Sequence, residues 1–140
     1  TEAVIVGGTG AVSAAVETAL KTQLGAANVT RIAGTNRYQT AMFVAEHAVD
    51  DLGMNADRLV LVSGADWPDA LGAGPMAYQA VYGYGVEGPM LLTNPTRLSG
   101  EVASFVMEYG QPTELCYVVG GPSAVSDAVL NAFNALRDSH

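Results

Sequence analysis

Val6-Gly7-Gly8-Thr9-Gly10-Ala11-Val12-Ser13 joins a short apolar run, Val4 to Val6, to residues that recur with helical period. Glycines between two such runs permit the tight turn by which a strand passes into a helix, with Gly7 and Gly8 supplying positive φ and close packing. The same order returns 113 residues later as Val119-Gly120-Gly121-Pro122-Ser123-Ala124-Val125-Ser126, and the match continues through Ala15/Ala128, Val16/Val129 and Ala19/Ala132. A chain that closes on the unit with which it opens reads as one full repeat plus the first strand–helix unit of a next repeat, cut from a tandem array.

Between the two copies, Leu59 to Val62, Met90 to Leu92 and Leu115 to Val119 are continuous apolar stretches of buried-strand type, and Val29 to Ala33 is a weaker fifth. Helical faces alternate with them. Val12, Ala15, Val16, Ala19 and Leu20 form one; Ala41, Val44, Ala45, Ala48, Val49 and Leu52 another; Leu98, Val102, Phe105, Val106 and Tyr109 a third; Val125, Ala128, Val129, Ala132 and Leu136 the last. Asp66, Pro68 and Asp69 read as N-cap, early-turn proline and first-turn acid of a further helix toward Tyr78. Alternation of this kind predicts an α/β domain over residues 1–140. The expected architecture is an open parallel sheet of about five strands with helices on both faces, in Rossmann-like or flavodoxin-like layering.

With 49% apolar and 14% charged residues the chain lies far from disordered compositions, and 140 residues bury a real core. The net charge of −8 repels a phosphate backbone, which argues against nucleic acid. Lys21 is the one lysine, so recognition of an anion falls to Arg31, Arg37, Arg58, Arg97 and Arg137. Cys116 sits in an apolar run and has no disulfide partner. His47, His140 and Cys116 fall at no recognised ligand spacing, so neither a metal nor a cofactor is expected. No run approaches the roughly eighteen apolar residues of a membrane span, and no basic-then-apolar leader opens the chain, so Thr1 reads as the start of a mature protein or excised domain.

Two loops carry the candidate ligand chemistry. Arg31-Ile32-Ala33-Gly34-Thr35-Asn36-Arg37-Tyr38-Gln39-Thr40-Ala41 sets two arginines on either side of a small polar loop before a helix, an arrangement that can hold an anion between guanidinium groups and a helix N-terminus. Ser63-Gly64-Ala65-Asp66-Trp67-Pro68-Asp69 ends a strand at the carboxyl edge of the sheet, where open α/β proteins place their ligands. Gly34, Arg37, Tyr38, Thr40, Ser63, Asp66 and Asp69 join Arg31 as candidate binding residues. Asp66 and Asp69 read better as helix-start acids than as an acid/base pair, and no G-x-S-x-G elbow is present. Gly8-Thr9-Gly10 is half of a dinucleotide fingerprint, with Ser13 at its third glycine and Arg31 and Gly34 where a ribose-binding acid belongs. Tyr78, Tyr82 and Tyr84 offer aromatic faces for sugar stacking or for packing.

Taken together, Arg31-x-x-Gly34-x-x-Arg37-Tyr38-x-Thr40-Ala41, Ser63-Gly64-x-x-x-Pro68-Asp69-Ala70-Leu71, Gly88-Pro89-Met90-Leu91-Leu92-Thr93 and Val118-Val119-Gly120-Gly121 resemble the cell wall binding repeat 2 family in its own order. The family commonly has Pro-Ile-Leu-Leu where this chain has Pro89-Met90-Leu91-Leu92. The resemblance implies a non-catalytic, extracellular module that anchors a surface protein of a Gram-positive bacterium to an anionic cell-wall polymer. It also implies a parallel-sheet module whose copies pack as a trimer, so other copies, as a homotrimer or tandem repeats, are expected partners beside the polymer. Divalent cations bridging protein acids to the polymer are an alternative to direct arginine contact. The competing readings are a nucleotide- or phosphate-ligand-binding α/β enzyme domain and a self-associating assembly module.

Overall fold

In the computed structural model, which describes residues 1–78, 88–109 and 115–139, strands and helices alternate along the chain. They are β1 (Ala3–Val6), α1 (Ala14–Leu24), β2 (Val29–Ile32), α2 (Arg37–Asp50), β3 (Arg58–Ser63), α3 (Pro68–Tyr78), β4 (Met90–Thr93), α4 (Gly100–Tyr109), β5 (Leu115–Val119) and α5 (Asp127–Arg137), with a short 3-10 turn, Ala26–Asn28, before β2. Tyr82 and Tyr84 lie outside the described residues.

Every strand pair is parallel, but the hydrogen bonds form two sheets: β1-β2, and a three-stranded sheet in the order β4-β3-β5. The single sheet of about five strands is therefore corrected to two plus three. Both edges of β3 are taken by β4 and β5, so neither β1 nor β2 can pair with it. A cavity of about 660 Å³ is lined by Val6, Gly7, Gly8 and Ala11 at the end of β1, by Met90 and Leu92 of β4, and by Ala41 and Ala70 among others. Glycine and alanine on the facing surfaces leave that space unfilled.

β3 is central because its sequence is apolar at successive positions, which suits a strand covered on both faces. Leu59 and Leu61 point to one face, where Ala45 of α2, Val102, Phe105 and Val106 of α4, and Val129 and Phe133 of α5 form the main core with Leu91. Val60 points to the other face and packs with Ala73 and Ala77 of α3. Two helical layers thus enclose the three-stranded sheet.

The duplicated unit folds the same way twice at its turn. Gly7 and Gly120 have φ of 108° and 119°, a region open to glycine at little cost. Gly8 is not among the positive-φ glycines, so the turn needs that freedom at its first glycine only. The helices differ in burial: α5 buries Val129 and Phe133, whereas α1 buries no residue.

Burial pushes the Cys116 thiol up to about 12, which leaves little thiolate at pH 8. Alkylation by iodoacetamide at that pH is expected only when the chain unfolds, and labelling at the rate of a free thiol in native buffer would contradict this core. The duplicated valines give a second check. Val129 is fully buried and Val16 is 46% exposed, so Val129→Ala should cost roughly 2–3 kcal/mol in denaturant titration and Val16→Ala within about 0.5 kcal/mol.

Candidate ligand-binding site

The loop from Gly34 to Thr40 is fixed by its own polar atoms. The Gly34 amide donates to Thr40 Oγ1 at 2.9 Å, and that hydroxyl donates to the Asn36 carbonyl at 3.0 Å. Asn36 caps α2 by accepting from the Gln39 amide at 2.8 Å, while Gln39 Oε1 accepts from the Thr35 amide at 2.7 Å. The Asn36 cap satisfies an amide that the first helical turn leaves without a partner, and the other bonds satisfy the loop amides of Gly34 and Thr35.

This rigid loop meets the second candidate stretch at Gly64. Arg37 Nη1 donates to the Gly64 carbonyl at 2.8 Å. The Tyr38 ring lies where a Cβ on Gly64 would stand, so only glycine allows the ring to approach. Ser63, 3% exposed, accepts from the Ala65 amide at 3.2 Å. Arg37, Tyr38, Ser63 and Gly64 are therefore neighbours at the carboxyl end of β3.

Arg31 turns elsewhere. Its Nε donates to Glu17 Oε2 at 2.8 Å, Nη1 to the Gly7 carbonyl at 2.6 Å and Nη2 to the Ser13 carbonyl at 3.5 Å. It ties α1 and the first turn onto β2. Hydrogen bonds from Lys21 and Arg31 hold the Glu17 carboxyl below the usual carboxylate range. Asp66 Oδ1 accepts from the adjacent Trp67 amide at 2.9 Å, ahead of α3, which begins at Pro68. Asp69 lies in the first turn of α3, with Oδ2 beside Gly120 in the second copy of the turn. The two acids thus face different neighbours.

Two crevices open around these residues. The 660 Å³ cavity also takes in Gly34, Asn36, Arg37 and Thr40, and its lining is mainly apolar. Beside it a smaller crevice of about 340 Å³ is lined by Asn36, Tyr38, Asn94, Arg97, Leu98, Ser99, Gly100 and Glu101, between the N-termini of α2 and α4. Asn36 Nδ2 donates across it to Glu101 Oε1 at 3.3 Å. Arg97 is exposed and makes no ion pair among the described residues. Trp67 and Leu71, one helical turn apart, are 68% and 66% exposed on the start of α3.

Asn36, Asn94, Ser99 and Glu101 are polar crevice residues that were not among the candidates from sequence. Asn94 follows β4 directly, so the rule that ligands gather at the carboxyl ends of strands is the signal that would have found it. Among the described residues no three His, Cys, Asp or Glu side chains gather as metal ligands, and no helix is long and apolar enough to cross a membrane.

Comparisons with known proteins agree with this architecture. The family model for cell wall binding domain 2 matches residues 31–130. The N-acetylmuramoyl-L-alanine amidase LytC of Bacillus subtilis (strain 168) is 33% identical over 109 residues, which cover 78% of this chain and 20% of that protein. Cwp8 from Clostridium difficile superposes with a TM-score of 0.70 and 25% identity, over 95% of this chain and 20% of the other. Cwp6 from Clostridium difficile shares the fold, with a TM-score of 0.78 and 22% identity over 95% of this chain and 19% of the other. The chain thus spans about a fifth of each of these proteins. With most of its length matched by the family model, the chain belongs to the cell wall binding domain 2 family.

Proposed function

We propose that this cell-wall-binding module is a non-catalytic anchor that holds an anionic wall polymer along the carboxyl edge of its sheet. Arg97 carries the reading. It stands uncommitted to any acid among the described residues, in a polar crevice shared with Tyr38, Asn36 and Asn94. A guanidinium in such a place can donate two parallel hydrogen bonds to a phosphate or carboxylate. Arg37 lies at the boundary with the neighbouring cavity, and Trp67 offers an exposed aromatic face of the kind that packs against sugar rings.

In this proposal the sequence candidates divide their work. Arg37 and Tyr38 touch the polymer. Gly34, Thr40 and Ser63 hold the loops that present them, and Arg31 braces the first turn. Asp66 and Asp69 flank the edge and keep the polymer's anionic groups toward the arginines. The overall charge of −8 does not forbid this. At physiological salt the screening length is about 8 Å, so an arginine in contact outweighs acids farther away. The attached remainder of the protein would supply any chemistry, with the module working outside the cell at the wall.

The apolar cavity beside Gly7 and Gly8 supports a second reading, a nucleotide or phosphate ligand at the end of β1. A ligand at 100 times its Kd should raise stability by about 2.7 kcal/mol. No thermal shift across a nucleotide panel would dismiss this reading.

Co-sedimentation with Gram-positive cell walls tests the anchor directly. The chain should be retained by polymer-bearing walls and lost from polymer-stripped ones, with retention falling as salt rises. Loss of a charge-assisted contact is worth about 1.5–3 kcal/mol, so Arg97→Ala should weaken retention roughly tenfold or more while leaving the melting temperature near that of the parent chain. Equal retention on both kinds of wall would overturn the polymer reading. Unchanged retention of Arg97→Ala would remove this crevice from the site.

A further inference from the structure

The two copies of the strand–turn–helix unit share a turn and show different contacts. The Ala11 and Val12 amides bond the Gly8 carbonyl at 2.9 and 3.0 Å, as those of Ala124 and Val125 bond the Gly121 carbonyl at 2.8 and 3.0 Å. Yet β5 pairs with β3, whereas β1 pairs with β2.

Handedness makes these opposite edges of the unit. A parallel crossover is right-handed, so with the helix toward the viewer the next strand lies to the right. With α4 and α5 in front, as their shared core requires, β5 lies right of β4, and the order β4-β3-β5 puts β3 on the left edge of β5. With α1 in front, β2 lies on the right edge of β1. Each copy therefore displays one half of the pairing that the unit supports. The right edge of β5 bears no strand among the described residues, and an unpaired edge is a template for another strand.

We infer that the outer edge of β5 receives β2 of a second copy of this chain, so that one strand–turn–helix unit closes one module and opens the next. Transferring the observed pairs Ala3–Val29 to Val6–Ile32 by the repeat sets Cys116 opposite Val29, Tyr117 opposite Thr30, Val118 opposite Arg31 and Val119 opposite Ile32 of the second copy. The incoming Arg31 then meets the Gly120 and Ser126 carbonyls, as Arg31 here meets those of Gly7 and Ser13. The Ser126 hydroxyl, buried and without a partner among the described residues, lies at that end of the unit. Leu130 stands where Glu17 does in the first copy, so the Arg31–Glu17 ion pair is not reproduced. The joint rests on backbone pairing and the two carbonyl contacts. In the second copy, β5 and α5 of the first take the place that β1 and α1 hold here, where Ile5 of β1 is buried and α1 buries no residue.

The experiment extends the complete chain: residues 1–139 are followed directly by residues 27–140, so the appended copy has no β1–α1 unit of its own. A whole second chain joined through a flexible linker is the control. Hydrogen exchange is read at the Val29 to Ile32 amides of the appended copy. Protection at least about a hundredfold above the unstructured rate is expected. Exchange at the unstructured rate in the extended chain, with protection in the control, overturns the inference. Because no wall material enters the assay, its outcome is independent of polymer binding.

Discussion

The fold depends on the double pairing of β3. Both of its edges carry a parallel strand and both of its faces are covered, so Leu59, Val60, Leu61 and Val62 are almost wholly removed from water. A strand in that position has no polar face to turn outward, and its alternate side chains tie two helical layers to one sheet. β4 and β5 take their register from it, and the loops that follow β3 and β4 emerge side by side at the carboxyl edge. The polar crevice is a by-product of that alignment: α2 and α4 begin there, and each delivers its first polar residues to the same place.

The domain is acidic, with six basic residues against fourteen acidic ones, and its few positive charges are unevenly committed. Here the arginines are separated by role. Arg31 is consumed by Glu17 and two backbone carbonyls, and Arg37 holds the Gly64 carbonyl. Arg97 alone of the three is unengaged among the described residues. Under the proposed anchoring role, such a division lets an arginine act at contact range while the acids farther away are screened.

Strand positions were legible because each is a short apolar run: Leu115 to Val119 is bounded in the structure as in the sequence, and β3 and β4 extend the expected runs by only one or two residues. Periodicity reports which face of an element is buried, however, and says nothing about its neighbour. The break between β1-β2 and β4-β3-β5 was therefore hidden, since it depends on which strands take the two edges of β3. Arg31 shows the same limit. Its sequence neighbours suggested a pair with Arg37, but its hydrogen-bonding partners are 14 to 24 residues away. The Asn36 cap is local, since its partner Gln39 lies three residues on, whereas the Arg37 contact with Gly64 spans 27 residues and depends on the fold as the Arg31 contacts do.

The exposure of Trp67 has an optical consequence. It is the one tryptophan of the chain and is already 68% open to solvent at the rim of the sheet edge. Unfolding changes the surroundings of its indole only slightly, so its emission is a poor witness to global denaturation. A sugar ring settling on that face would displace water from the indole, and the same fluorescence would then report the arrival of ligand on a nearly silent background.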